Sequence, residues 1–234
     1  IPGTYTAKLM AQDSTTFCLD TVIQSITIDT VPVSKFSFTN NVCYGIPVQF
    51  TDSSNGAINS WSWDFGDGTY DTLKNPSHLY AAPGTYIVEL RVVYDGYCTD
   101  SLSKTVNIRP IPVAGFTATS VCNNVANSFT NTSSISGGAI VNYAWFFGDG
   151  VGISSAINPA YTYSAPGIYS VIHGVTSDYG CYDTVSNTIE VFPLPVAAFG
   201  APEVCFGFPM QFSDSTLIIG DTLVSWIATL LRHG

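Results

Sequence analysis

Residues 86–93 read Tyr86-Ile87-Val88-Glu89-Leu90-Arg91-Val92-Val93. Tyr86, Val88, Leu90 and Val92 share one parity; Ile87, Glu89, Arg91 and Val93 share the other. One uniformly apolar face at period two predicts a β-strand lying over a core. Val48 and Phe50 alternate with Gln49 and Thr51, and Val106 and Ile108 with Thr105 and Asn107. No long stretch carries a helical period. Asn55-Gly56, Asp67-Gly68 and Asp95-Gly96 read as turns, because Gly accepts positive φ and Asn or Asp tolerates it. About seven short strands in some 80 residues predict a β-sandwich.

Working outward, the chain repeats itself, which is the mark of a modular array. Trp63-Asp64-Phe65-Gly66-Asp67-Gly68 returns as Trp145-Phe146-Phe147-Gly148-Asp149-Gly150. Asn75-Pro76 returns as Asn158-Pro159, and Tyr80 as Tyr163. Pro83-Gly84-Thr85-Tyr86 returns as Pro166-Gly167-Ile168-Tyr169, with an earlier copy at Pro2-Gly3-Thr4-Tyr5. Phe36, Phe116 and Phe199 line up, as do Phe50, Phe129 and Phe212, and Trp226 aligns with Trp61. Proline-rich seams at Val31-Pro32, Pro110-Ile111-Pro112 and Pro193-Leu194-Pro195 predict short, semi-rigid links. The expected division is 1–31 as the tail of a unit, 32–110 and 111–193 as whole units, and 194–234 as the head of another.

Composition narrows the class. The 234 residues carry 7 basic and 17 acidic groups, a net charge of −10. Only 10% are charged, against about 25% in an average protein. A chain 46% hydrophobic and 13% aromatic is not a disordered polyelectrolyte. So few cations, none clustered, argue against nucleic acid and against an anionic membrane surface. Ile1-Pro2-Gly3 lacks the basic start and apolar core of a signal peptide. The apolar stretch over residues 216–231 is interrupted by Asp221, so no membrane span is expected in this segment.

Six cysteines stand at Cys18, Cys43, Cys98, Cys122, Cys181 and Cys205, with no CxxC and only His78, His173 and His233 beside them. That spacing offers no zinc pattern and points to an oxidising, extracytoplasmic setting. Pairing of Cys43 with Cys98 and Cys122 with Cys181 would make each unit self-contained. The competitor is pairing between units, such as Cys43 with Cys181, because Cys43 and Cys98 can fall at opposite poles of a sandwich.

Together these segments resemble the PKD (polycystic kidney disease) domain family. Its hallmark is W-D-F-G-D-G-T, then N-P-x-H-x-Y, then P-G-x-Y-x-V. The first whole unit has all three, in Trp63 to Thr69, Asn75 to Tyr80 with His78, and Pro83 to Val88. The next departs at Phe146 for the first Asp, Val151 for the Thr and Tyr161 for the His. The resemblance implies an all-β chain of tandem immunoglobulin-like sandwiches without catalytic activity. It also implies a spacer or adhesive module of a secreted or surface-attached bacterial protein. Expected partners are protein or carbohydrate ligands at a cell surface, or neighbouring copies. The alternatives are an accessory substrate-binding region of a secreted peptidase or polysaccharide hydrolase, and a strand-complemented filament subunit.

Several residues carry competing readings. Asp64, Asp67 and Asp71 surround one turn and form a weak Ca²⁺ candidate; turn capping explains them without a ligand. Trp61, Trp63, Tyr70 and Tyr80 are candidates for a sugar-stacking platform, weighed against core packing. Tyr86, opening its strand, is read either as folding a hydroxyl back onto the preceding corner, as in immunoglobulin-like sandwiches, or as an ordinary core aromatic; Tyr169 is its counterpart in the motif. His173 stands where Leu90 stands one unit earlier, on the inward face, so a buried, neutral, hydrogen-bonded imidazole is expected. No Ser/His/Asp or Cys/His constellation recurs, and no cofactor is called for.

Overall fold

A computed structural model describes residues 1–218, 225 and 227; Trp226 and most of the late apolar stretch lie outside them. Every regular element among the described residues is a strand. The chain separates into two compact units, Ile1–Pro110 and Ile111–Gly234. No helix among the described residues is long and apolar enough to cross a membrane.

In the first unit, β1 (Gly3–Gln12) and β2 (Leu19–Ile28) pair antiparallel, from Gly3 opposite Ile28 to Gln12 opposite Leu19. Every residue of this ribbon is exposed. The sandwich follows: β3 (Phe36–Phe38), β4 (Val42–Cys43), β5 (Val48–Asp52), β6 (Ser60–Asp64), β7 (Tyr70–Asp71), β8 (Ser77–His78), β9 (Gly84–Tyr94) and β10 (Cys98–Arg109). One sheet runs β4-β10-β9-β6-β7 and the facing sheet β3-β5-β8. The alternation in β9 is the reason the sheet sits where it does: Val88, Leu90 and Val92 are buried while Ile87, Glu89 and Arg91 face solvent. They meet Phe36, Val48 and Phe50 from the smaller sheet around Trp63. Each such side chain contributes roughly 1.5–3 kcal/mol by leaving water. Asp95 (φ 50°) and Gly96 (φ 75°) make the left-handed turn in the three-residue connection 95–97 between β9 and β10.

The second unit repeats the plan with β11 (Phe116–Thr117), β12 (Val121–Cys122), β13 (Ala126–Ser128), β14 (Thr130–Asn131), β15 (Ile140–Phe146), β16 (Ile153–Ser154), β17 (Ala160–Thr162), β18 (Gly167–Ser177) and β19 (Tyr182–Phe192). The large sheet runs β12-β19-β18-β15-β16, and the opposite layer is β11-β14 with β13-β17. Phe116, Phe129, Trp145, Phe147, Tyr163, Val171, Ile189 and Val191 form its core. Beyond it, β20 (Phe199–Gly200) pairs with β21 (Ser213–Asp214). Each proline seam feeds the same bridge: Val33 to Asn55, Val113 to Ser134 and Val196 to Leu217.

Candidate functional site

The motif that repeats most faithfully builds the turn after β6. Gly66 and Gly148 sit at φ 78° and 83°. A Cβ on either would lie well under 3.0 Å from the carbonyl oxygen of Ile87 or Ser170 on the neighbouring strand. Only glycine fits such a left-handed, backbone-crowded position. The close approach buries Phe65 and Phe147, and Tyr80 and Tyr163 donate their hydroxyls to the carbonyls of Phe65 and Phe147 at 3.1 and 2.8 Å. Burial pushes both phenols well above the ordinary tyrosine range. Trp63 and Trp145 are fully buried, and their indole N–H groups donate to the carbonyls of Leu73 and Ala156. Asn75 and Asn158 accept from the backbone N–H of Asp52 and Asn131, tying the turn region to the opposite sheet.

An aromatic ladder closes the turn. His78 stacks on Phe65 at 4.1 Å with the planes 1° apart, and meets Tyr80 edge-on at 4.5 Å. Its Nε2 donates to Asp67 Oδ2 at 2.8 Å. Desolvation alone would raise Asp67, but hydrogen bonds from Thr69 and His78 outweigh it, so the carboxyl lies below its ordinary value. In the second unit Tyr161 replaces His78 and keeps the stack, the edge-on contact and the bond to the aspartate. It stacks on Phe147 at 4.1 Å, meets Tyr163 edge-on and donates its hydroxyl to Asp149 Oδ2. That bond pushes the Tyr161 phenol up to about 12. Asp149 lies low: hydrogen bonds from Tyr161, Gly152 and Val151 overcome the opposing desolvation. Tyr80 stacks on Tyr86 and Tyr163 on Tyr169. Tyr86 and Tyr169 donate back four residues to the carbonyls of Ala82 and Ala165 at 2.9 and 2.8 Å, and Tyr5 does the same to Ile1 at 2.6 Å.

The acidic residues do not converge on a cation. Asp64 accepts from Gly66 N, Asp67 from Thr69 N and Oγ1, and Asp71 from Thr72 N and Leu73 N. Each carboxylate caps its own turn, and no three His, Cys, Asp or Glu side chains among the described residues form a group able to hold a metal ion. The four aromatic candidates separate too. Trp63 and Tyr80 are buried and Tyr70 is exposed. Trp61 packs against the core edge, donating to Asp52 Oδ2 at 3.0 Å under the Lys74 ammonium. They offer no shared platform.

The PKD domain profile matches twice, over residues 29–110 and 107–192. The chain belongs to the PKD domain family. Collagenase ColA of Bacillus cereus is 55% identical over 42 residues, which is 18% of this chain and 4% of the collagenase. The pre-pro-metalloprotease PrtV of Vibrio cholerae is 48% identical over 61 residues, 26% of this chain and 6% of the protease. The crystal structure of the PKD1 domain from that metalloprotease is 41% identical, covering 35% of this chain and 96% of that domain, with a TM-score of 0.32. The PKD chain thus spans a small fraction of the curated relatives it matches.

Within the second PKD repeat, His173 is fully buried. It stacks on Trp145 at 3.8 Å, and its nitrogens reach Asn131 Oδ1 at 3.1 Å, Ser133 Oγ at 3.3 Å and Ala144 O at 3.4 Å. Desolvation pushes its pKa down. Ser133 Oγ also donates to Gly115 O and accepts from Gly115 N, so this Ser–His contact belongs to the hydrogen bonding that closes the core.

The cysteine pairing within each PKD repeat is corrected. Cys98 and Cys122 are free thiols, as are Cys18 and Cys205, so neither expected pair forms, while Cys43 and Cys181 are each held in a disulfide. The reason is strand length. Cys43 lies opposite Arg109, at the far end of β10 from Cys98. Eleven residues at about 3.3 Å each separate those ends by some 36 Å, while a disulfide needs Cα atoms about 4.4–6.8 Å apart. Cys122 lies opposite Phe192, at the end of β19 remote from Cys181.

Proposed function

We propose that the chain is a non-catalytic spacer and interaction array of a larger protein that works outside the cytoplasm. Its whole PKD units are 32–110 and 111–193; 1–31 is the closing hairpin of a PKD-like repeat and 194–234 the opening part of one. The observation that carries this reading is where the motif's polar atoms go. Asp64, Asp67, Asp149, Tyr80, Tyr163, Trp63 and Trp145 all hydrogen-bond inside their own repeat. Nothing in the motif is left over to bind or activate a substrate. A disulfide suits an oxidising compartment, and the low charge suits a polar surface built from Ser, Thr and Asn.

A second reading, an accessory region that holds a protease to its substrate, is favoured by the names of the relatives, a collagenase and a metalloprotease. Co-sedimentation of the purified chain with insoluble protein fibres and with insoluble polysaccharide, with assay of soluble peptides and sugars, separates the readings. Binding or its absence without any release supports a non-catalytic array. Retention on protein fibres alone selects the protease accessory. Release of peptide or sugar by the pure chain overturns both.

A further inference from the structure

The outward face of the large sheet differs between the two repeats. In the first, Ser62 sits beside Arg91 and Ser101 across β6, β9 and β10, and Asp64 sits beside Glu89 and Ser103. In the second, the matching rows are Ala144, Gly174 and Thr184, and Phe146, Ile172 and Ser186. Three charged side chains have become Phe146, Ile172 and Gly174. A third row holds Asn142, Thr176 and Tyr182.

The result is a groove of about 230 Å³ running across the strands. Gly174 opens its floor. Phe146 and Ile172, 52% and 42% exposed, form one wall, and Ile153, 73% exposed, extends it onto β16. Tyr182, 72% exposed, stands with Asn142 and Thr176 on the other wall. A concave surface with exposed apolar side chains and a few polar groups at its rim has the make-up of a small-ligand site.

We propose that this face of the second repeat binds a neutral sugar ring of an oligosaccharide. This rests on the reading of the chain as an interaction array. The walls fix the chemistry. A pyranose presents C–H faces that pack on Phe146 and Tyr182, and edge hydroxyls that hydrogen-bond to Asn142, Thr176 and Thr184. Charge fixes the rest: no Lys or Arg lines the groove, and the chain is at −10, so an anion is repelled. The one carboxylate among the lining residues, Asp183, turns away to accept from Ala114 N at 2.8 Å, so a cation gains nothing. The volume lies below the roughly 300–1,000 Å³ of drug-sized sites, which suits a ring or two.

The test titrates the ¹⁵N-labelled chain with cellohexaose and chitohexaose, with oligogalacturonate as the charged control. Saturable shifts with a neutral sugar at residues 142–146, 172–176 and 182–184 are expected. Gly174→Arg, which copies Arg91 into the floor, is expected to weaken binding at least about tenfold, as is Phe146→Asp, which copies Asp64. A Cβ at Gly174 meets Thr184 and Ala144 at 3.4 and 3.9 Å, ordinary contact, so the variant folds; the unchanged remainder of its spectrum checks this. No shift with either neutral sugar overturns the proposal. So do shifts that survive Gly174→Arg, a preference for oligogalacturonate, or sugar-independent shifts that grow with protein concentration and reveal a second copy on this face. None of these outcomes touches the spacer reading, which stands on the motif bonds.

Discussion

His78 donates to Asp67 at 2.8 Å across the turn that defines the repeat, and a phenol, Tyr161, makes the same bond to Asp149 one repeat later. Two chemically different donors on one acid, each stacked on the same phenylalanine position, mean that the site selects for a planar ring with a polar tip. His78→Tyr is expected to be tolerated only together with Thr69→Gly, because Gly152 leaves the space that the Tyr161 ring fills. A Cβ on Gly152 would lie well under 3.0 Å from that ring, and Thr69, which like Gly152 accepts from the N–H of the buried phenylalanine, carries one. His78→Ala is expected to cost about 1–3 kcal/mol, because it removes the stack on Phe65 and the donor to Asp67 Oδ2, leaving the carboxylate only its Thr69 bonds. Urea unfolding of these variants followed by fluorescence checks the contrast.

Asp67 carries a pH consequence. Its folded pKa is lowered, so the unfolded chain takes a proton first as pH falls. The stabilisation is complete above the ordinary aspartate value of 3.8 and is lost as pH drops through the lower folded value. In Asp67→Asn the first repeat is expected to be less stable at neutral pH and to lose less on acidification. Urea midpoints measured down to pH 3 report this.

The two glycines of the first turn separate by what surrounds them. Gly66 faces the Ile87 backbone and Gly68 faces open space, though both have positive φ. Gly66→Ala is expected to cost at least about 2 kcal/mol. Gly68→Ala is expected to cost about 1 kcal/mol, the ordinary penalty of a left-handed alanine. Equal losses in urea midpoint would contradict the crowding at Ile87.

His173 couples the second core to pH in its own window. Desolvation lowers its folded pKa below the ordinary 6.5. The native state therefore refuses a proton that the unfolded chain accepts, and stability falls as pH drops below that value. His173→Leu, the residue of the first repeat, is expected to flatten the dependence between neutral pH and pH 5. Retention of the full slope would place the titrating group elsewhere.

Alkylation without reduction is expected to label Cys18, Cys98, Cys122 and Cys205 and to spare Cys43 and Cys181. Mass-spectrometric peptide mapping reads the pattern directly.

The sheet was legible because period two in residues 86–93 comes from burial on one face, which any core demands. The repeat was legible because its glycines and aromatics recur at fixed spacing. Cysteine pairing was not, since parity says nothing about which pole of a sandwich a residue reaches; strand length decides that. The Tyr161 substitution read as a departure from the motif, because a residue's role as a stacked donor depends on Phe147 and Asp149, far closer in space than a single-letter pattern conveys. The apolar groove was also hidden. Only the Phe146 exchange was visible, and its meaning came from Ile172 and Gly174 arriving beside it on the neighbouring strand.

The most direct measurement stretches the whole chain from its ends under reducing conditions in a force spectrometer. Units 32–110 and 111–193 acting as separate load-bearing sandwiches are expected to give two discrete unfolding steps, each releasing about 80 residues, or roughly 28 nm of contour length. A single step releasing both lengths together would contradict an array of independently folded repeats.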